Sequence, residues 1–519
     1  MSRGALARAG LIITGAFLAS RILGWLRVVV LGNLFGSPEQ IAELDAYYAA
    51  FRIPDLIFEL VAAGAITSAL IPVLSGLIEH GEKPRAWRVA STVLNLMLGT
   101  LLLLAILLFI LAPSLVPLLV PGFDEATTEL TVELTRMMLL SPMFLAAGSI
   151  VTAILQTQDR FAAPALAPVV YNASIIVFAV LLSPMLGIHA VAVGVVVGAA
   201  GHVLIQLPAL RGRFRYSPVA DIGDAAARQT FWLMLPRAIG MGANQITFLV
   251  NTALASTVAV GAVVSYTVAF SVLQIPLGVI GLPLGIVLLP TMSRALANGD
   301  EQEFGTLVVR ALRLLLWVMA FIAAVGIVGR EEVVDLLFGW GFDEAALAAT
   351  AAALGVFLIG LPAHSMNVIL ARAFYSGKDT VTPVTVAIIS VAVNVTISIA
   401  TVDALGIRGL ALGIALGAWF EATTLTILLR RKHPTIAARS VVRGGLISII
   451  GAALAAFTAA IVLSAELLPG DLGRVVTLLI ELTLATGAGL AVYLLYSRLV
   501  RLPELPRAID LGRSAIRGR

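Results

Sequence analysis

The chain has 519 residues, 60% hydrophobic and 12% charged, with a formal net charge of +4 and a mean hydropathy of +1.02. Soluble domains carry about 25% charged residues, so the composition excludes a soluble enzyme and indicates an all-α polytopic membrane protein. Zero cysteines exclude disulfides, thiolate metal sites and a cysteine nucleophile. The basic residues stand in short runs between apolar segments, a topology pattern rather than a nucleic-acid face.

Crossing a bilayer takes about 20 residues per helix. Fourteen spans are predicted, at 8–35, 43–78, 86–117, 126–156, 162–184, 186–210, 226–258, 262–292, 303–328, 344–374, 380–401, 405–430, 440–464 and 474–498. The first begins with the charge order of a signal peptide, Arg3 and Arg8 before apolar residues, but the apolar run continues through Arg21 to Phe35 and is read as a retained span. Within it Ser20, Arg21, Gly24 and Arg27 share one face, opposite Leu18, Ile22, Trp25 and Val29.

The second span places Asp45, Arg52, Asp55 and Glu59 on one face. A charge at membrane depth costs roughly 2.5–3.5 kcal/mol on insertion scales, so this face is expected to line a polar cavity. The span ends in Ala62-Ala63-Gly64-Ala65, and the eighth carries Gly278, Gly281, Pro283 and Gly285. Gly64, Gly281 and Gly285 are hinge candidates, with close helix packing as the other reading.

In the seventh span Arg237, Asn244 and Asn251 recur at intervals of seven, and in the eighth Thr267, Ser271 and Gln274 form a neutral polar stripe. The expected cleft therefore sets Arg21, Arg27, Arg52 and Arg237 against Asp45, Asp55 and Glu59. Arginine's planar fork suits phosphate, which points to an anionic, phosphorylated substrate. The alternative is that Arg27 snorkels to an interface while Arg52 pairs with Asp55 or Glu59 to hold helices together. Ser390, Asn394 and Ser398 line one face of the eleventh span. They are a candidate Na⁺ site or, by the more common use of such stripes, interhelical hydrogen bonding. Glu421 and Glu481 are isolated intramembrane carboxylates, read as proton carriers or as end-of-span groups.

The sequence repeats. Gly122-Phe123-Asp124-Glu125-Ala126 recurs at 341–345, and Leu186-Gly187-Ile188 recurs at 405–407, both 219 residues downstream. Each copy holds six spans, which predicts two six-helix lobes, 1–212 and 225–432, related by a pseudo-two-fold axis along the membrane normal. Two additional helices, 433–500, and a basic cytoplasmic tail, 501–519, follow. The connections at 83–88, 211–228 and 430–443 and the tail are arginine- and lysine-rich, which predicts both termini inside. No catalytic set appears: the five histidines are isolated, and no metal-ligand spacing or phosphate-binding loop is present.

Ser20-Arg21-Ile22-Leu23-Gly24 with Arg27, then Phe35-Gly36, Asp45-Ala46, Phe51-Arg52-Ile53-Pro54, Gly64-Ala65 and Ile71-Pro72 form a pattern that resembles the MurJ (MviN) family of bacterial lipid II flippases. That family lies in the multidrug/oligosaccharidyl-lipid/polysaccharide exporter superfamily. Further similarity lies at Gln158-Asp159-Arg160-Phe161, Asn251-Thr252, Leu289-Pro290 and Phe374-Tyr375-Ser376. The resemblance implies a fourteen-helix inner-membrane protein that carries undecaprenyl-diphosphate-linked peptidoglycan precursor to the periplasmic leaflet by alternating access. Cavity arginines would hold the diphosphate, and Na⁺ or the membrane potential would be the drive. It also implies cell-wall synthesis proteins as partners, and neither an organic cofactor nor nucleic acid. Arg21, Arg27, Asp45 and Arg52 match the family's pattern. Phe58-Glu59 stands where well-studied members have a basic pair, Ala63 where they have glutamate, and Phe270-Ser271 where they have Asp-Arg. Arg237 is expected to supply the missing charge. Two other readings stand beside this one: a cation-coupled drug or metabolite exporter using Asp45, Asp55 and Glu59, and a membrane scaffold for envelope assembly.

Overall fold

A computed structural model describes the backbone of residues 3–61, 65–465 and 473–517, and side chains within these except 3–14, 17, 61, 65–68, 235–241, 243, 244 and 511–517. Twenty α-helices and one π-helical turn, with no strand, make up the described residues. In order they are α1 (Arg3–Phe35), α2 (Ile41–Val61), α3 (Ala65–Glu79), α4 (Lys83–Leu119), α5 (Glu125–Met138), α6 (Ser141–Gln156), α7 (Ala162–Leu186), α8 (His189–Leu204), α9 (Leu207–Leu210) and α10 (Ala225–Ser256). There follow α11 (Ala262–Pro276), the π turn (Leu277–Gly281), α12 (Leu282–Ala297), α13 (Glu301–Val328), α14 (Arg330–Phe338), α15 (Glu344–Ser376), α16 (Val381–Leu405), α17 (Ile407–Lys432), α18 (Ala438–Ser464), α19 (Arg474–Leu499) and α20 (Glu504–Arg517).

Among the described residues, 12 helical segments are long and apolar enough to cross a membrane. The two expected spans outside this set are the second, α2 with α3, and the seventh, α10; adding them gives fourteen. α2 is too polar for the set, and much of α10 lies outside the residues whose side chains are described. α2 carries Glu43, Asp45, Arg52, Asp55 and Glu59, and α10 carries Arg228, Arg237, Asn244, Gln245 and Asn251. These two polar segments pack on each other, α10 lying against α2, α3 and α4.

Packing divides the chain into two compact units, Met1–Val264 and Ser265–Arg519. The repeat is visible as matching local geometry. Asp124 caps α5 by accepting from Thr127 N at 2.8 Å, and Asp343 caps α15 by accepting from Ala346 N at 2.8 Å. Gly187 and Gly406, with φ of 55° and 57°, end α7 and α16 in the left-handed region that favours glycine. Asp159 and Lys378 likewise share φ of 57° and 61°.

Pro54 sits inside α2, where it lacks the N–H that would bond the Ala50 carbonyl. The Thr135 hydroxyl of α5 lies 3.4 Å from that carbonyl, while its proton goes to the nearer Thr131 carbonyl at 2.7 Å. The segment between α9 and α10 is strapped along α4. Asn95 Nδ2 donates to the carbonyls of Ser217 and Val219 at 3.1 and 2.8 Å, and Ser217 N donates to Ser91 Oγ at 3.1 Å. Arg85 Nε donates to Asp224 Oδ2 at 2.8 Å, and Asp224 caps α10 by accepting from Ala226 N at 2.8 Å.

The expected basic tail begins as a helix with a buried anchor. Glu504 is 1% exposed and accepts from Arg313 Nε of α13.

Candidate functional site

The charged face of α2 is occupied by specific partners. Arg52 Nε donates to Thr252 Oγ1 of α10 at 2.9 Å, and its guanidinium lies 5.3 Å from the centre of the Phe248 ring, which combines a charge-assisted hydrogen bond with a cation–π contact. One turn on, Asp55 Oδ2 accepts from Gln245 Nε2 at 3.2 Å. Glu59 follows after another turn, half-buried. Arg27 of α1 lies within electrostatic reach of Tyr171 of α7 and of Tyr47, Tyr48 and Asp55. Four helices of the first unit thus converge on two arginines and two carboxylates, lined by tyrosines.

Asp45 has a different task from the cavity-wall role expected of it. It is 1% exposed, and its two oxygens accept from Gly261 N at 2.6 Å and Val264 N at 2.7 Å. These are orphan amides at the start of α11, so the carboxylate is a helix cap, with each oxygen engaged by one amide. Gly261 has a φ of 82°, and a side chain there would meet Ile41 at 2.7 Å. Only glycine suits that turn.

The remaining expected residues separate. Ser20 is half-buried and Arg21 exposed on α1. The side chains of Arg237 and Asn244, and Gly64 entirely, lie outside the described residues. Asn251 is fully buried on α10, and Gln245, Phe248 and Thr252 of the same helix meet α2. In the second unit Gln274 is exposed, and Ser271 Oγ donates to the Thr267 carbonyl of its own helix at 2.8 Å. Gly281 closes the π turn, and a side chain at Gly285 would strike the Arg372 guanidinium at 2.7 Å. Ser390 Oγ donates to the Gly417 carbonyl at 2.8 Å, a bond that joins α16 to α17. No acidic or histidine cluster suited to a metal occurs among the described residues.

Sequence reasoning missed Tyr47, Tyr48, Tyr171, Gln245, Phe248, Thr252 and the intramembrane Arg372. Tyr48 had a signal, since it stands four residues before Arg52 on the same face. A groove of about 750 Å³ lies elsewhere, between α4 and α5. There Arg136 stacks on Phe109 and donates to its carbonyl.

Residues 33–484 match the family described as Lipid II flippase MurJ. The chain belongs to this family. It is 28% identical over 436 residues to a lipid II flippase MurJ of Burkholderia cenocepacia, covering 82% of this chain and 84% of that one. It is 30% identical over 448 residues to a probable lipid II flippase MurJ of Bdellovibrio bacteriovorus, covering 83% of each. Among solved structures, a lipid II flippase MurJ in an inward closed conformation superposes with a TM-score of 0.78, 22% identity, and coverage of 94% of this chain and 98% of that one. An inward-facing multidrug resistance MATE family transporter of the MOP superfamily gives 0.69 at 16% identity, covering 79% and 95%. The fold is shared with both.

Within this MurJ-family chain two of the departures from the family pattern are used for packing. Phe58 packs against the apolar cluster that holds Leu70, Leu74 and Trp87. Phe270 meets Phe357 of α15 edge-on, ring centres 5.6 Å apart. Both are aromatic residues that stabilise helix contacts where a charge would need a partner.

Proposed function

We propose that this chain is a flippase for lipid II, moving the undecaprenyl-diphosphate-linked precursor from the cytoplasmic to the periplasmic leaflet with both chain termini inside. Family membership supplies the substrate, and one structural observation supports the mechanism: Arg52, bonded to Thr252 and lying over the Phe248 ring, shares one site with Asp55 and with Arg27 of α1. The planar guanidinium fork suits a diphosphate. The polyprenyl tail stays in lipid while the headgroup passes, and no bond is made or broken. An inside-negative potential of 100 mV contributes about 2.3 kcal/mol per charge moved and favours outward passage of an anion.

The cation-exporter reading needs available carboxylates. Asp45 caps α11 and Asp55 is bonded to Gln245, which leaves Glu59 as the carboxylate that reading would have to use. The test replaces the essential lipid II flippase of a depletable bacterium with this chain and measures periplasmic exposure of lipid II. Wild type restores exposure and Arg27→Ala loses it at equal membrane abundance; failure of abundant wild type, or full exposure with Arg27→Ala, overturns the reading.

A further inference from the structure

α17 ends on Arg430, Arg431 and Lys432, and α18 opens with Arg439 and Arg443 within its first turns. Two nearby cations are neutralised inside the protein. Lys432 Nζ lies 3.0 Å from Asp379 Oδ2, and Arg313 donates to Glu504 and to Ser440. Arg430, Arg439 and Arg443 differ: among the described residues none makes an ion pair or a side-chain hydrogen bond. The three line a groove of about 520 Å³ whose apolar wall includes Val442, Leu446 and Ile450. Those three are 61%, 58% and 55% exposed, and their spacing of four makes one continuous stripe along α18. Arginines therefore stand at the end that carries the basic connections, with an open apolar track running from them along the span.

We propose that this groove is a binding site for an anionic glycerophospholipid of the surrounding membrane. Its phosphate sits on Arg430, Arg439 and Arg443, and one acyl chain lies along Val442, Leu446 and Ile450. Three neighbouring guanidinium groups repel one another, and a phosphate that accepts from their forks relieves that repulsion. Basic pockets between helices at the cytoplasmic side have this chemistry for lipid headgroups. A soluble phosphate would satisfy the arginines but leave the apolar stripe uncovered. A diacyl lipid satisfies both. The groove belongs to the second compact unit and shares no residue with the Arg27–Arg52 site; the occupant assigned to it is a resident lipid.

The test is native mass spectrometry of the intact protein released from a mild detergent, titrated with phosphatidylglycerol and, separately, phosphatidylcholine. Wild type is expected to bind phosphatidylglycerol in preference, and the preference to fall roughly fivefold for each arginine removed in Arg430→Ala, Arg439→Ala and Arg443→Ala, singly and combined. The combination Arg211→Ala with Arg213→Ala and Arg215→Ala, elsewhere on the basic side, is expected to keep it. Should the triple groove variant aggregate, the single variants carry the same test. Equal preference in wild type and groove variants overturns the proposal, as does an equal loss in the control. A polyprenyl diphosphate as the only lipid that copurifies with wild type and is lost from the groove variants overturns the identity of the occupant.

Discussion

Two polar stripes run along membrane helices of this chain, and they do opposite things. On α16, Ser390, Asn394 and Ser398 face α17, whose opposing residues are Gly409, Gly413 and Gly417. A side-chain carbon at Gly413 would lie 2.3 Å from Ser398 Oγ and 2.8 Å from the Asn394 carbonyl, and one at Gly417 would lie 3.2 Å from the Ser390 carbonyl. The two backbones are nearly in contact. On α2, Tyr48, Arg52, Asp55 and Glu59 share one side, and α10 meets it with Gln245, Phe248 and Thr252, side chains that hold charged groups at arm's length. The helix opposite decides what a polar stripe is for: glycines turn it into packing, long side chains into a lined site.

The sharpest way to break that comparison is to give α17 a side chain. Gly413→Leu forces the α16 and α17 backbones apart and is expected to destabilise the second unit by about 3 kcal/mol, at the upper end of overpacking costs. Thermal unfolding in detergent measures it. Transport should fall only in proportion to the folded protein. A stable Gly413→Leu chain that has lost transport would mean that the α16 stripe contacts the substrate or a coupling ion after all.

On the α2 side the expected loss is activity. Arg52→Ala removes the bond to Thr252 and the contact with Phe248, while Thr252→Val removes only the bond's acceptor. Hydrogen bonds to charged groups contribute about 1.5–3 kcal/mol, so Thr252→Val should lower flipping by roughly tenfold, and Arg52→Ala by more, because the charge itself is gone. Lipid II exposure at matched membrane abundance reads both. If Thr252→Val is as active as wild type, Thr252 does not position the guanidinium.

What the sequence could convey follows from the same contrast. The helical class, twelve of the spans and the repeat are written in hydropathy and in exact recurrences such as 122–126 and 341–345. Hydropathy is a property of one segment, so it survives without the fold. The charges on α2 were legible for the same reason. The Gln245, Phe248 and Thr252 contacts were not, because only packing against α2 brings these residues to Arg52 and Asp55. Asp45 was misread because its partners, the amides of Gly261 and Val264, stand 216 and 219 residues away. Backbone donors have no signature in residue type, so a cap formed by a distant side chain looks like a free charge.

Asp45 offers a smaller test of the distinction between holding a helix and touching a substrate. Asp45→Asn keeps one good acceptor for the two amides and should cost about 1 kcal/mol, with Asp45→Ala nearer 2, the range for lost caps. Chemical or thermal unfolding gives the number, and transport per folded molecule should be retained. Normal stability with lost transport would return Asp45 to the substrate-contacting set.

The smallest effect lies outside the membrane, in the strap between α9 and α10. Hydrogen bonds from Arg85 hold the Asp224 carboxyl below its ordinary value of 3.8. A carboxylate whose folded pKa is depressed contributes stability that is present above its unfolded pKa and is lost as pH falls through the folded one. Between pH 8 and about pH 5 the contribution is constant, because a carboxylate with an unfolded value near 3.9 stays ionised throughout. Hydrogen exchange at Ser217 and Asp221, whose amides bond to Ser91 and Thr92 of α4, should therefore show unchanged protection across that window once the intrinsic rate is removed. Protection should decline only below about pH 4. Asp224→Asn should lower it at neutral pH and abolish the acid dependence, since the variant has no carboxylate left to titrate. A loss of protection already at pH 6 in wild type would place the controlling group elsewhere and leave the Arg85–Asp224 bond as a surface contact of little weight.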